Sequence, residues 1–464
     1  MARSSRNTRT RTKRSSIAPP NARPKRSASD ALAPVSAEEF AAAAERVGLR
    51  SPFAIAVSGG ADSLALMFLA RDWCKAQSLP VPLAITVDHG LRPESAKEAA
   101  IVAKWAKAAK VPHKVLAWAG DKPTQNLQAA AREARYRLIG EYLCAKGTAV
   151  LLTGHTQDDQ AETFLLRLAR GSGLDGLAGM APRTSFPLAK YPELTLARPL
   201  LDVPHARLVA TLKAMDHPWI ADPSNENDRF ARVQMRNLMP SLEAAGLTPQ
   251  RLAAAAANLR RAREAVDAAV AELVASSTEL SPYGYALVDA TRLATAPAEV
   301  ALRALARLIE ALGGGDYPPR FEQTEAALAW AKGGKGPRGR TLGGCRLERR
   351  TAGRILIARE EAALTRETSP QTISAGETVL WDRRFVIALA TAPGALELRH
   401  LGLKGVKALG QGARLPPVEP HLIAATTPSL WRSGRLLAAP ALGVCRAEVA
   451  VSARFLGLDR LKSS

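Results

Sequence analysis

The chain is poor in cysteine and aromatic residues and has no long apolar run. Its four cysteines stand far apart and form no CxxC pair, which argues against a zinc site and a disulfide framework and suits a reducing cytosol. No stretch is apolar over the length that a bilayer requires. We therefore expect a cytoplasmic protein of 464 residues with two or three domains and no membrane partner.

Acidic side chains are also few, 43 against 64 lysines and arginines, so the formal net charge is +21. This excess indicates a polyanionic partner, and nucleic acid ranks ahead of a membrane because no basic amphipathic helix stands out. Residues 1–36 form a basic tail with too few apolar residues for a core, and we expect disorder there. A nonspecific RNA-binding arm, a solvated tail without a role and a transit peptide are the three readings left open.

From residue 52, short apolar runs alternate with helical patterns. The runs that predict strands are 53–57, 82–87, 113–118 and 149–154. The stretches that predict the intervening helices are 63–76, 93–110 and 126–147. Such alternation predicts an α/β fold with a doubly wound parallel sheet covered on both faces, whose ligand site lies at the carboxyl ends of the strands.

The stretch SGGADS (58–63) follows the first predicted strand and opens a helix. Its backbone N–H groups, freed by Gly59 and Gly60, predict an anion site at the positive end of that helix. The loop differs from the common GxxxxGK[ST] pattern because it has no lysine. A purely structural turn is the alternative.

Acidic residues follow two further predicted strands. Asp88 ends the second strand, and a helix beginning near Thr156 would place Asp158, Asp159 and Glu162 on one face. Such crowding favours a bound cation, either magnesium riding on a triphosphate or the ammonium of an amine substrate. The alternative is that acidic residues simply favour a helix N-terminus.

Seven blocks stand in a definite order along the chain. They are SGGADS, DHGLR, NLQAAAREARY, GHTQDDQAET, RGSGLDGLAGM, RPLL and DPSNENDRFARVQMRN. Together they resemble the tRNA(Ile)-lysidine synthases of the PP-loop (N-type ATP pyrophosphatase) group over about residues 50 to 240. The first block is shared by many PP-loop enzymes, whereas the full set is highly specific. Two later blocks, TLGGCRLERRTAGRILIARE and PSLWRSGRLLAAPALG, look like the C-terminal domains of the same family.

The resemblance implies a reaction on tRNA. Enzymes of this family transfer AMP from ATP, with Mg²⁺, to the 2-carbonyl oxygen of the wobble cytidine in a CAU anticodon. The side-chain amine of free L-lysine then displaces AMP to give lysidine. The implied partners are ATP, tRNA(Ile) with a CAU anticodon and lysine, and a homodimer is left open.

The resemblance also implies roles for individual residues. The residues implied to bind ATP are Ser58, Gly59, Gly60, Ala61, Asp62, Ser63, Asp88 and His155, and those implied to bind magnesium are Asp62 and Asp159. The residues implied to be catalytic are Asp62, Arg132, Asp158, Asp159 and Glu162, and Arg135 lies one helical turn from Arg132. The residues implied to contact tRNA are Arg170, Asn225, Arg232, Arg236 and Asn237. For Arg132 and Arg135 the alternative is a surface salt bridge with Glu133 or Glu141. We expect residues 217–237 to line the cavity that receives the flipped-out cytidine, and the alternative for this segment is a polar turn leading into a helix.

Four regions follow from these patterns. They are the basic tail 1–36, a PP-loop catalytic domain 37–240, a helical tRNA-contacting domain 241–335 and a β-rich C-terminal tRNA-binding region 336–464. Rival functions lie mainly within the PP-loop group. A tRNA thiolase would need paired cysteines, and an amide-forming synthetase would lack the later blocks and would not explain the charge. A noncatalytic RNA-binding protein is the rival from another class.

Overall fold

The computed structural model describes residues 33–120, 122–123, 125–188, 190–221, 231–315, 318–333, 336–410 and 412–462. The chain divides into an N-terminal unit that ends at Arg260 and a C-terminal unit that begins at Arg261. Among the described residues, no helix has the length and apolar character needed to cross a membrane. Most of the basic tail lies outside the described residues.

The N-terminal unit is built on one six-stranded sheet. Its strands are β1 (Ala54–Ala56), β2 (Leu83–Asp88), β3 (His113–Ala117), β4 (Val150–Leu152), β5 (Arg183–Ser185) and β6 (Thr195–Ala197). They lie in the order β3-β2-β1-β4-β6-β5, and every neighbouring pair is parallel except β5 with β6. The predicted parallel sheet is confirmed, with an additional antiparallel strand at one edge.

Helices cover both faces of this sheet. They are α1 (Ala37–Arg46), α2 (Ala61–Ala76), α3 (Ser95–Ala108), α4 (Leu127–Lys146), α5 (Gln157–Ala169), α6 (Leu174–Leu177), α7 (His205–Ala214) and α8 (Ala231–Ala244), followed by α9 (Pro249–Ser277), which continues past the division at Arg260. Ile55 packs in one core with Leu64 of α2, while Ala54 and Leu151 pack in another with Ile139 of α4. Successive strand residues enter opposite cores because they point to opposite faces, which makes the sheet doubly wound.

Two helix ends follow directly from the local sequence. Gly147 ends α4 in the left-handed conformation, at φ +65°, which glycine adopts without steric cost. Thr156 caps α5: its side chain accepts from the N–H of Asp159, whose carboxylate accepts in turn from the N–H of Thr156. This reciprocal cap fixes the start of the acidic helix immediately after β4.

The C-terminal unit begins with a mixed layer of helices and one antiparallel sheet. Its strands are β7 (Thr278–Ser281), β8 (Tyr285–Asp289), β9 (Gly339–Leu342), β10 (Cys345–Arg349) and β11 (Arg354–Arg359), in the order β7-β8-β11-β10-β9. Its helices are α10 (Ala290–Thr295), α11 (Ala298–Gly313) and α12 (Phe321–Ala331). Leu305 and Leu308 of α11 share a core with Leu347 and Ile357 of the sheet. The region predicted as helical therefore also holds a β-hairpin, closed by Gly284 at φ +84°.

Two further antiparallel sheets, of five and three strands, complete this unit. The strands are β12 (Gln371–Ile373), β13 (Thr378–Trp381), β14 (Phe385–Thr391), β15 (Leu396–His400), β16 (Pro428–Arg432), β17 (Arg435–Ala439), β18 (Val444–Cys445) and β19 (Ala450–Phe455). One sheet has the order β12-β15-β16-β17-β18 and the other β13-β14-β19. The helices are α13 (Glu361–Glu367), α14 (Gly402–Lys407), α15 (Pro420–Ala425) and α16 (Gly457–Lys462). The β-rich end predicted from the sequence is confirmed.

Candidate active site

A cleft of about 780 Å³ opens at the carboxyl ends of β1, β2 and β4 in the N-terminal unit. Many of the residues predicted for the site line it: Ser58, Gly60, Ala61, Asp62, Ser63, Arg132, Arg135, His155, Asp158, Asp159, Glu162 and Arg236. Other predicted residues are described but are not part of its lining: Gly59, Asp88, Arg170, Arg232 and Asn237. Asn225 lies outside the described residues. The cleft thus collects the segment 58–63, which we call the phosphate loop after its predicted ligand, the arginines Arg132 and Arg135 of α4 and the three acidic side chains of α5. It lies at the edge of the sheet where ligands of α/β proteins bind.

The phosphate loop is held by its own side chains. The N–H of Ser58 donates to Oγ of Ser63 over 3.1 Å, and that hydroxyl donates to the carbonyl oxygen of Gly60 over 3.0 Å. Gly59 adopts φ +92°, where a Cβ atom would lie 2.7 Å from Cδ1 of Ile220 and 2.9 Å from Cγ2 of Val102. Glycine at this position is therefore required by both conformation and space.

A second glycine, Gly154, supports the same loop from β4. A Cβ atom on Gly154 would lie 3.0 Å from the backbone carbon and oxygen of Asp62 and 3.1 Å from the backbone nitrogen of Ser63. The turn after β4 thus packs directly against the first turn of α2. Glycine at position 154, the first residue of the GHTQDDQAET block, therefore allows the two backbone segments to pack closely.

Each acidic residue of α5 has a partner in the protein. Asp158 Oδ2 accepts from the N–H of His205 over 2.7 Å, and Asp159 Oδ2 accepts from the N–H of Thr156 over 2.9 Å. Glu162 Oε1 accepts from Arg236 Nε over 2.9 Å. These contacts offset the repulsion that the sequence predicted for three carboxylates on one helical turn.

Glu162 differs from its neighbours in burial. Its residue is 3 % exposed, and its Oε2 has no hydrogen-bond partner in the described part of the chain. Burial raises the pKa of this carboxyl above its ordinary value, although Arg236 acts in the opposite direction. A buried carboxylate oxygen without a donor, beside the cleft, is suited to receive a donor from a ligand.

His155 is held neutral at ordinary pH. Its Nδ1 lies 2.8 Å from Oγ1 of Thr153, and burial lowers its pKa to about 4, opposed by the charge of Asp159. An uncharged imidazole therefore faces the cleft at pH 7. The neutral imidazole of His155 can form a hydrogen bond with a nucleobase or an amine without adding a positive charge to the cleft.

Among the described residues, neither Arg132 nor Arg135 of α4 forms the salt bridge with Glu133 or Glu141 that was considered as the alternative. The Arg132 guanidinium lies over the ring of Tyr136, 5.0 Å from its centroid. Glu141 pairs with Arg137 at 3.7 Å and with Lys190 at 3.8 Å. Both α4 arginines that line the cleft therefore present positive charge beside the phosphate loop.

Asp88 holds a loop. Its Oδ1 accepts from the hydroxyl of Ser95 over 2.6 Å and from the N–H of Gly90 over 2.9 Å. These bonds fix the chain between β2 and α3, and its predicted contact with ATP stays a prediction. Across the described residues, no three His, Cys, Asp or Glu side chains come together to form a metal site on their own.

Sequence reasoning missed His205, which contacts a predicted residue of the cleft. His205 lines it and places Nδ1 2.7 Å from Oδ1 of Asp62, so the imidazole donates to the carboxylate. This bond raises the pKa of His205, and burial raises that of Asp62 despite the histidine. Trp219 and Ile220 also line the cleft, and they belong to residues 217–237, which the sequence predicted to line the cavity for the cytidine. His205 contacts Asp62 from 143 residues away in the chain, and no local pattern marks that contact.

Comparison with known proteins shows which family model matches the region that contains the cleft. A family model described as the PP-loop domain matches residues 34–242. The tRNA(Ile)-lysidine synthase of Methylobacterium sp. (strain 4-46) is 48% identical over 317 residues, which cover 66% of this chain and 88% of that protein. The tRNA(Ile)-lysidine synthase of Ruegeria pomeroyi is 38% identical over 392 residues, covering 84% and 88%. Among solved structures, a U34-tRNA thiolase from Methanococcus maripaludis is similar with TM-score 0.40 and 17% identity, covering 49% of this chain and 78% of that one.

Proposed function

As the chain belongs to the tRNA(Ile)-lysidine synthase family, whose members are ligases that use ATP, we propose that it joins lysine to the 2-position of the wobble cytidine of a CAU-anticodon isoleucine tRNA. The reaction has two steps in this proposal. The 2-carbonyl oxygen of cytidine attacks the α-phosphorus of ATP and pyrophosphate leaves. The lysine side-chain amine then attacks C2, and AMP leaves with that oxygen.

One observation carries the proposal: the phosphate loop, the arginines of α4 and the carboxylates of α5 line a single cleft. Adenylation needs positive groups where negative charge builds on the phosphates, and Arg132 and Arg135 supply them. Attack by the lysine amine needs a group that binds its ammonium form and a base that accepts its proton. The carboxylates of α5 supply both. Both steps therefore have their chemistry within reach of one bound nucleotide.

Magnesium fits the acidic side of the loop. Mg²⁺ in nucleotide sites is commonly held by one or two carboxylates together with substrate phosphates, so a complete protein cage is not needed. Asp62 and Asp159 would hold it, and their mutual repulsion contributes to the raised pKa of Asp62. When bound, the ion would neutralise charge on the triphosphate.

Glu162 is the residue that we assign to lysine. Its Oε2 is buried and has no donor among the described residues, so an ammonium N–H would satisfy it. Its raised pKa also makes it a better proton acceptor than an ordinary carboxylate when the amine attacks. Arg236, on the other oxygen, keeps the side chain in place.

The thiolase alternative receives no support from the cysteines. Cys74 and Cys345 are buried, and Cys144 and Cys445 are exposed. None of the four lines the cleft. A sulfur carrier beside the nucleotide is therefore missing from the described site.

The test is incorporation of labelled lysine into an unmodified isoleucine tRNA transcript with a CAU anticodon, in the presence of ATP and Mg²⁺. We expect incorporation that requires ATP and is lost in Asp62→Ala. Pyrophosphate release without lysine incorporation would leave adenylation standing and show the nucleophile to be wrong. Absence of both, with tRNA still bound, would favour the noncatalytic RNA-binding protein.

A further inference from the structure

One residue, His205, contacts two of the carboxylates at the cleft. It is the first residue of α7, after Pro204 at the N-cap. Its Nδ1 lies 2.7 Å from Oδ1 of Asp62, and its backbone N–H donates to Oδ2 of Asp158 over 2.7 Å. Asp62 and Asp158 stand in the first turns of α2 and α5, so a single residue links the N-terminal ends of three helices.

These contacts oppose a specific repulsion. Asp62 lies close enough to Asp158 and Asp159 for their charges to raise its pKa. Without a donor, this repulsion would act on the Asp62 carboxylate unopposed. The imidazole of His205 holds it in the cleft, since a charge-assisted hydrogen bond of 2.7 Å is stronger than one between neutral groups.

We propose that His205 is a positioning residue for the nucleotide. Its imidazole orients Asp62 toward the ATP phosphates, and its N–H fixes the side chain of Asp158 at the same cleft. The proposal rests on the proposed function for its kinetic readout, but its binding readout needs only the nucleotide. His205 lies four residues after the RPLL block (198–201), and the sequence predicted no role for it.

A purely structural role makes a different prediction. The His205 side chain is 50 % exposed, so its truncation leaves no cavity in the core. Leu208 and Leu212, which are fully buried, anchor α7 in the core. Loss of the imidazole should therefore lower the urea midpoint of unfolding only slightly while it weakens nucleotide binding, whereas a purely structural role would lower the midpoint and leave nucleotide binding unchanged.

The first experiment compares His205→Ala with His205→Asn, whose side-chain amide nitrogen can replace Nδ1 as a donor. We expect His205→Ala to weaken binding of a non-hydrolysable ATP analogue with Mg²⁺ about tenfold, as loss of a hydrogen bond to a charged group does, with tRNA affinity unchanged. His205→Asn should recover most of that loss. Equal analogue affinity in wild type and His205→Ala would overturn the proposal, as would an equal loss in both variants.

A double-mutant cycle with Asp62→Asn tests whether the imidazole acts through that carboxylate. If it does, His205→Ala should cost little further affinity, less than about twofold, in the Asp62→Asn background. Additive losses would overturn the route through Asp62. Failure of the proposed function would appear separately, as a wild-type protein that binds the analogue and tRNA but forms no lysidine.

The role of the backbone N–H is tested by His205→Pro. Proline suits the first position of a helix, and Pro204 already has φ −61° and ψ 141°, the conformation favoured before a proline. This variant removes the donor to Asp158 that His205→Ala retains. We expect lysine-dependent AMP release, measured after adenylation, to fall further in His205→Pro than in His205→Ala. Equal rates would exclude a role for the N–H.

Discussion

The backbone N–H of Ile220 donates to the carbonyl oxygen of Gly59 over 2.9 Å. The Ile220 side chain also fills the space beside Gly59 that a Cβ atom would need. The phosphate loop is thus packed against Ile220, which belongs to residues 217–237, the segment predicted to line the cytidine cavity. The predicted nucleotide site and the predicted cytidine cavity therefore adjoin at this contact.

Gly59→Ala should damage the loop through this contact. We expect the free energy of unfolding to fall by about 2 kcal/mol or more, because the new Cβ meets Ile220 and Val102 and alanine is strained at φ +92°. Gly60→Ala is the matched control: the nearest atom to its Cβ is Ser58 Oγ at 3.7 Å, and its φ is −71°. Urea unfolding of both variants makes the comparison. Equal losses would contradict the packing described here.

Glu162→Gln should affect lysine more than ATP. Removing the charge should raise the KM for lysine about tenfold, because a charge-assisted bond to the ammonium is lost, while pyrophosphate release changes little. Glu243→Gln, on another side chain of the same cleft, is the control. Steady-state kinetics with varied lysine will show the difference. An unchanged KM for lysine would remove Glu162 from the lysine site.

His155 makes stability depend on pH between about 4 and 6.5. Its pKa is about 4 in the folded chain and near its ordinary value when unfolded, so the unfolded state binds more protons in this range. Its contribution therefore disappears as pH falls, by on the order of 2 kcal/mol between pH 6.5 and 4.5. His155→Gln should show a shallower decline in urea unfolding over that range. Parallel curves for the two proteins would show that His155 is not held neutral.

The tRNA affinity should fall steeply with salt, as the net charge of +21 indicates. Arg170, exposed at the end of α5, is predicted to contact tRNA. Arg170→Gln should reduce the slope of log Kd against log salt by about one. Arg137→Gln, whose guanidinium pairs with Glu141, should leave the slope unchanged. A flat salt dependence of the wild type would contradict the charge argument.

The regular part of the N-terminal unit was predictable because its patterns are local. Apolar runs marked β1 to β4, Gly147 marked the end of α4, and the Thr156 cap marked the start of α5. The short strands β5 and β6 were not predicted because, unlike β1 and β4, which also have three residues each, they do not lie within longer apolar runs. The hairpin around Gly284 was read as part of a helical region because it lies between longer helical patterns.

The types of residue in the site could be predicted from the sequence, whereas most of the contacts between them could not. The loop and the α5 carboxylates follow from motifs, whereas the partner of Asp62 lies 143 residues away at His205. Gly154 likewise acts through packing against the backbone of Asp62, which only the folded chain shows. Pairings of this kind depend on which helix ends meet at the sheet edge. Composition and spacing do not specify them.

The adenylated intermediate is the central claim, and trapping it is the most direct test. The protein is incubated with CAU-anticodon isoleucine tRNA and ATP labelled at the α-phosphate, without lysine, and the tRNA is then isolated. We predict label on the tRNA, released as AMP when lysine is added. An unlabelled tRNA, from a preparation that forms lysidine once lysine is present, would contradict an adenylated tRNA intermediate.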